Sequence, residues 1–285
     1  MRPVNKIPPA YLRELSATGS EQQRGAIHHA LIESLGNYCS YCEMPLSDYH
    51  IEHLRHLAEW PEQLSLDQWD DLLLICNDCR NHIRMPTLNA TSAAAILWPD
   101  KDSTFSLVNS PFQYELRTVK YLVMDEGNKV SEETKDLVFV VPNRDAGQTL
   151  YEKAFNTIAH FQLNMQLEFY NENTGELRVP LAVHAERSDN RMFKRTAAWM
   201  EAHDSVKRLR ELEGHAANGP GDPALLRRMF IQQIAMTAWY SGNWSVWMTV
   251  FYQQTEDLDL LRTAFAGNIH EFSGLRNDND ALFSI

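Results

Sequence analysis

Residues 38–84 read YCSYCEMPLSDYHIEHLRHLAEWPEQLSLDQWDDLLLICNDCRNHIR. All four cysteines of the chain fall in this stretch, as the C-x-x-C pairs Cys39/Cys42 and Cys76/Cys79, with 33 residues between the pairs. Zinc prefers four tetrahedral ligands, and thiolates from two such pairs fill its shell and leave no position open to substrate. The long gap makes each pair the anchor of a different element, so that the metal holds a small module together. Two unrelated redox dithiols are the competing reading. A redox pair is expected once and near a βαβ pattern, so two pairs at this separation favour zinc.

The remaining composition bounds the function. A chain of 285 residues is long enough for two compact domains or one large one, and 44% hydrophobic with 22% charged residues is the make-up of a globular protein. No window approaches the ~18–20 uninterrupted apolar residues that span a bilayer, and no signal-type apolar core follows the first residues. The expectation is a soluble, cytoplasmic protein with no membrane association. Four cysteines are too few for a disulfide scaffold. The net charge of −12, from 26 basic and 38 acidic residues, counts against a stand-alone nucleic-acid binder, since phosphate contacts depend on Lys and Arg. Contact with DNA therefore requires a local basic surface, a metal or a partner.

Upstream of the cysteines, Ser20-Glu21-Gln22-Gln23 fits a helix N-cap, and Ala26, Ala30, Leu31, Ile32 and Leu35 give helical spacing up to Gly36. His28 and His29 on that helix point in different directions and read as surface residues. Downstream, residues 105–108, 113–124 and 137–141 read as an antiparallel meander with a turn at Asp125-Glu126-Gly127-Asn128. A helix over 145–163 follows, with Leu150, Ala154, Ile158 and Phe161 on one face; segments 165–170 and 176–183 then flank the hairpin-like loop 171–175. Beyond Arg187 the text is helical: 191–212, which carries Met192, Ala197, Met200 and Leu209 among many charges, 225–240, the aromatic run WSVWMTVFY over 244–252, and 256–267. Pro223 suits the first turn of its helix, after the breaker Asn218-Gly219-Pro220-Gly221-Asp222. The Trp and Met clusters here read as core. Between residues 186 and 228 nine basic residues stand against seven acidic ones, which fits either a phosphate-facing strip or a solvated, salt-laced helix face.

Between the cysteine pairs, residues 49–54 alternate as the second strand of a hairpin, which points Glu52 and His53 to opposite faces, and residues 69–79 read as a helix feeding the second pair. A strand, strand, helix order with cysteine pairs at both ends resembles the HNH nucleases of the ββα-metal type. The resemblance is carried by Tyr38-Cys39-Ser40-Tyr41-Cys42-Glu43, by Ile51-Glu52-His53, and by Trp69-Asp70-Asp71-Leu72-Leu73-Leu74-Ile75-Cys76-Asn77-Asp78-Cys79. Within that superfamily the chain is most similar to the HNH subunit of Septu-type anti-phage defence systems. That closer likeness includes Met1-Arg2-Pro3-Val4, Trp98-Pro99-Asp100-Lys101-Asp102-Ser103-Thr104-Phe105 and Trp244-Ser245-Val246-Trp247-Met248-Thr249-Val250-Phe251.

The resemblance implies an α+β chain. A zinc-stapled ββα-metal module over residues 1–100 precedes a mixed antiparallel-sheet and helical region over 101–285 that engages partner or substrate. It implies a metal-dependent DNA endonuclease in which His53 is the general base and Glu52 a ligand of a catalytic Mg²⁺ or Mn²⁺, distinct from the structural zinc. A neutral His and a divalent cation supply the two needs of phosphodiester hydrolysis, an activated water and charge stabilisation on the phosphate. Two positions depart from the family. Its middle residue, usually Asn, falls on Asp71, and its last ligand falls on Arg80, which cannot bind a cation. Asn81 or His82 then supplies that ligand, with His82 preferred. The family also implies an ATPase partner in a hetero-oligomeric defence complex. The alternative function is a non-catalytic zinc module that docks a partner protein.

Overall fold

The structure is a computed structural model. It describes residues 1–4, 6, 10, 21–46, 49–53, 66–82, 94–124, 130–164, 169–171, 176–179, 190–216, 222–255 and 258–261; within these, the side chains of 21–24, 49–53, 66–68, 81–82, 121–124, 130, 133, 169–171, 176–179, 215–216 and 258–259 lie outside the description. The chain is mixed α+β.

The first helix, α1, spans Glu21–Leu35 and buries Ile27, Ala30, Leu31 and Leu35, close to the expected stripe. It stops at Gly36, which takes the left-handed conformation (φ 75°) open to glycine without steric cost. Two antiparallel strands follow, β1 (Tyr49–His53) and β2 (Leu72–Cys76), in the register Tyr49 opposite Cys76 and His53 opposite Leu72. A 3₁₀ turn over Leu66–Asp71 leads into β2, and helix α2 (Asn77–His82) leaves it.

This corrects the expected helix over 69–79. Leu72, Leu73, Leu74 and Ile75 are all completely buried, as an apolar run covered on both faces must be, and a continuous run of this length carries no periodicity that separates strand from helix. Each such side chain contributes about 1.5–3 kcal/mol through burial. The partner of the 49–53 strand is thus the segment after it, and the strand, strand, helix succession is β1, β2, α2.

A four-stranded sheet forms the second layer, in the order β4-β3-β6-β5. Strands β3 (Phe112–Met124) and β4 (Val130–Pro142) pair antiparallel along their whole length, from Phe112 opposite Pro142 to Met124 opposite Val130. Residues 105–108 form no strand, and β4 begins well before residue 137 because the charged Ser131–Asp136 stretch still pairs with β3. Strands β5 (Phe169–Asn171) and β6 (Glu176–Val179) form the expected hairpin, but β6 joins β3 in parallel, so the sheet is mixed. The turn at 125–128 and the hairpin loop at 172–175 lie outside the described residues.

Helix α3 (Gln148–Phe161) packs on β4, and α4 (Arg191–Ala216) packs on β4, on α5 (Pro223–Ser241) and on α6 (Trp244–Thr255). Pro223 opens α5 as expected, behind an Asp222 cap that accepts from the Ala224 N–H at 3.0 Å. A short helix, α7 (Leu258–Leu261), is the last described element; residues 262–267 of the expected final helix lie outside the described set.

The inward face of α4 is made of Met192, Arg195, Ala198, Ala202, Val206 and Leu209, whereas Ala197 and Met200 are exposed. Arginines and alanines on the buried side are what hid that face from a hydrophobicity pattern. In α6, Trp244, Val246, Trp247, Met248, Val250 and Phe251 are buried, as the aromatic run predicts. One buried apolar cluster runs from Met1 and Val4 through the cysteines to Leu260 and Leu261, passing residue 100 without a break. Among the described residues, no helix is long and apolar enough to cross a membrane.

Gly242 ends α5 at φ 66°, and a Cβ there would collide with the Glu43 carbonyl oxygen and lie 2.7 Å from Pro45 Cδ. Gly25, exposed in α1, has nothing within 4 Å of such a Cβ. Gly242→Ala is therefore expected to lower the unfolding free energy by about 2–4 kcal/mol. Gly25→Ala should raise it by about 0.5–1 kcal/mol, both read from urea titrations.

Candidate metal centre

The first cysteine pair sits in a tight turn. The Cys39 N–H donates to the Met44 carbonyl at 2.9 Å, the Glu43 N–H to the Cys39 carbonyl at 3.0 Å, and Tyr38 bridges Pro45. Closing this turn puts Glu43 at φ 63°, an unusual left-handed conformation for a non-glycine residue. The turn docks on the hairpin through the Ser40 N–H, 2.9 Å from the Leu74 carbonyl. The second pair straddles the junction of β2 and α2, where the Cys79 N–H points at Cys76 Sγ at 3.3 Å.

These placements bring the sulfurs of Cys39, Cys42, Cys76 and Cys79 within 4.8 Å of one another, all four side chains buried. Zinc–sulfur bonds of about 2.3 Å arranged tetrahedrally set the sulfurs ~3.8 Å apart. The Cys42–Cys76 pair stands at 3.6 Å, far beyond the ~2.05 Å of a disulfide, and all four cysteines are free. The donor set and its spacing fit one tetrahedral ion such as zinc, and four sulfurs sharing one point do not match two separate dithiols.

Burial pushes the Cys42 and Cys79 thiols well above their ordinary range, with added push from the neighbouring cysteines. At Cys39 burial acts the same way, but hydrogen bonds from Cys42, Cys76 and Cys79 outweigh it and bring that thiol well below. A coordinated thiol loses its proton outright, so metal entry expels protons that burial otherwise retains.

Around the sulfurs, Tyr41 stacks on Phe161 at the end of α3, with ring centroids 3.7 Å apart. Glu43 is buried and reaches α6: its carboxylate accepts from the Ser245 N–H at 2.8 Å and from the Ser245 hydroxyl at 2.6 Å, and its carbonyl accepts from the Asn243 N–H at 3.0 Å. A carboxylate at a helix N-terminus satisfies unpaired N–H groups and complements the helix dipole. The α-amino group of Met1 lies 3.4 Å from the same carboxylate. Tyr38 donates its hydroxyl to the Trp239 carbonyl at 2.6 Å.

The candidate catalytic residues are placed by backbone. Glu52 and His53 end β1, opposite Leu73 and Leu72, and Asp71 immediately precedes Leu72 at the same end of the hairpin. Asn81 and His82 close α2. The side chains of Glu52, His53, Asn81 and His82 lie outside the described residues. Asp71 is described: its Oδ1 is 3.6 Å from Lys101 Nζ, an ion pair the sequence does not announce. Arg80 is exposed on α2.

Four of the nine basic residues between 186 and 228 serve structure or a salt-laced surface, while Lys194, Lys207 and Arg228 are exposed. Arg191 and Arg195 are buried, Arg208 pairs with Glu201 at 3.5 Å and Asp204 at 3.9 Å, and Arg227 pairs with Glu213 at 2.8 Å. Sequence reading missed Glu43 and Arg191 as parts of this centre. Glu43 is signalled only by its position beside Cys42, and Arg191 by nothing local, since its partner lies 112 residues away.

Compared with known proteins, the chain matches no family model, no curated protein and no solved structure.

Metal analysis of the purified chain should find one zinc per chain. Because the Cys42 and Cys79 thiols are raised, protons compete increasingly with the metal as pH falls, and zinc retention should drop on acidification. Chelator treatment should lower the thermal midpoint, and Cys42→Ser should release the metal at neutral pH. Equal midpoints with and without chelator would contradict a stabilising metal.

Proposed function

We propose that this protein is a metal-dependent HNH DNA endonuclease stapled by a structural zinc. The observation that carries the reading is the β1, β2, α2 succession bounded by converging cysteine pairs, with Glu52-His53 ending the first strand beside Asp71-Leu72. In this reading Cys39, Cys42, Cys76 and Cys79 hold zinc in a closed shell that does no chemistry. Carboxylate and carboxamide oxygens suit Mg²⁺ or Mn²⁺, so Glu52 supplies one ligand of the open set and His82, or Asn81 in its place, the other; Arg80 does not fit. A cation bound there supplies charge stabilisation on the scissile phosphate. His53, neutral, takes the proton of the attacking water, and Asp71 orients groups at the hairpin end.

Substrate engagement follows from charge. In a chain of net −12, two of the nine basic residues between 186 and 228 are buried and two more are ion-paired, which lowers the positive charge offered there and supports delivery of DNA by a partner. The resemblance gives that partner as an ATPase of a cytoplasmic anti-phage complex. A second reading, a zinc module that only docks a partner, is favoured by one observation: Leu225, Leu226, Met229, Met236 and Tyr240 are exposed on α5.

His53→Ala should purify folded with zinc retained, yet lose plasmid cleavage by about 10²–10⁴-fold with Mg²⁺ or Mn²⁺, assayed alone and with the copurifying ATPase. Wild-type cleavage by that variant removes His53 from the mechanism. An inert wild type across divalent metals, with or without that ATPase, favours the docking module.

A further inference from the structure

Arg191 opens α4 and is 1% exposed. Its Nη1 donates to Cys79 Sγ at 3.3 Å and to the Phe161 carbonyl at 2.9 Å, and its Nη2 donates to the Gln162 carbonyl at 2.6 Å. One turn later Arg195, also buried, donates to the Leu163 carbonyl at 2.7 Å, the Val138 carbonyl at 3.2 Å and Asn164 Oδ1 at 3.1 Å. Residues four apart share one helix face, so the two guanidiniums together clasp the exit of α3, where Gln162 takes a left-handed conformation at φ 45°. Carbonyls at a helix C-terminus carry partial negative charge and suit a cation. Arg195 donates to carbonyl oxygens, whereas Arg191 also donates to a cysteine sulfur.

A buried guanidinium is costly unless hydrogen-bonded and compensated in charge. Four thiolates around one divalent ion leave two negative charges in a site closed to water. An N–H donor on a cation, aimed at one of those sulfurs, makes a charge-assisted bond that serves both partners. Outer-shell donors of this kind also fix the orientation of the ligand they touch.

We propose that Arg191 is a positioning residue of the metal centre, an outer-shell donor to Cys79 through which the end of α3 and the start of α4 set the affinity of the cysteine site for zinc. The inference rests on the reading of the four cysteines as a zinc site. The metal and the α3–α4 junction then stabilise each other: the ion makes Cys79 an anionic acceptor for Arg191, and Arg191 offsets the negative charge that the four thiolates retain. Loss of the ion removes that acceptor charge and loosens the junction.

The test compares Arg191→Met and Arg191→Lys with Arg195→Met, which removes an equally buried arginine that donates to the Leu163 and Val138 carbonyls and to Asn164 Oδ1. Zinc affinity is read by competition with a chromophoric chelator, and the sulfur environment by the thiolate-to-metal charge-transfer band of the cobalt-substituted protein. Arg191→Met should weaken zinc binding about 10–100-fold and move the band to lower energy, because a thiolate without its donor is more electron-rich. Arg191→Lys should fall between that variant and wild type in both measurements, and it keeps the test open should Arg191→Met fail to fold. Arg195→Met should lose thermal stability with the band at its wild-type position. The proposal is overturned by a wild-type band and affinity in the Arg191 variants, or by an equal band shift in Arg195→Met. A wild-type protein that binds neither zinc nor cobalt removes the metal reading itself, a result separable from the behaviour of the variants.

Discussion

Four sulfurs held within 4.8 Å of one another in a buried site can be ionised together only with a cation among them. Much of the described structure serves to create that proximity. The first pair needs a turn tight enough to force Glu43 into a left-handed conformation, and the second needs β2 to end at Cys76 and α2 to begin at once. Neither is self-supporting. The turn leans on Leu74 through Ser40, on Phe161 through Tyr41 and on α6 through Glu43, while Cys79 meets Arg191. The four-cysteine cluster thus lies within a buried core to which both halves of the chain contribute.

Legibility in the sequence followed the range of the interactions. The C-x-x-C spacing, the Gly36 stop, the Pro223 start and the apolar run of α6 depend on neighbours a few residues away, and each was readable. The 72–76 run was misread because an apolar stretch covered on both faces has no period. The inward face of α4 is not legible as a hydrophobic stripe, because buried arginines occupy positions that such a stripe would mark. The parallel join of β6 to β3 was unreadable for a different reason: pairing between segments more than fifty residues apart leaves no trace in either segment alone. The cysteine set of the candidate site was visible as a pattern, but its supports at Glu43, Ser245 and Arg191 were not, since each is defined by a contact across more than a hundred residues.

Electrostatics divides the molecule in a way that composition does not show. The excess acidity is an average over the whole chain, whereas part of the positive charge is spent inward. Arg191 and Arg195 serve helix ends and a sulfur, and Lys6 is buried between Asp100 at 3.0 Å and the Leu72 carbonyl at 2.8 Å. A count of basic residues therefore overstates what a phosphate backbone would meet. Among the described residues around the hairpin, Lys101 beside Asp71 and the exposed Arg80 of α2 carry positive charge.

The contact between Glu43 and Ser245 also bears on the order in which the chain becomes structured during synthesis. The residue beside the second cysteine meets groups that follow it by about two hundred positions: its carboxylate accepts from Ser245 and its backbone carbonyl from the Asn243 N–H, while Tyr38 of the same turn donates to the Trp239 carbonyl. At a translation rate of about 5–20 residues per second, the cysteine turn waits roughly 10–40 s for these contacts after leaving the ribosome. During that interval Cys39 and Cys42 are exposed thiols on an unfinished surface. A zinc ion captured early by the cysteines would shield them from oxidation and would hold the turn in place until α5 and α6 arrive.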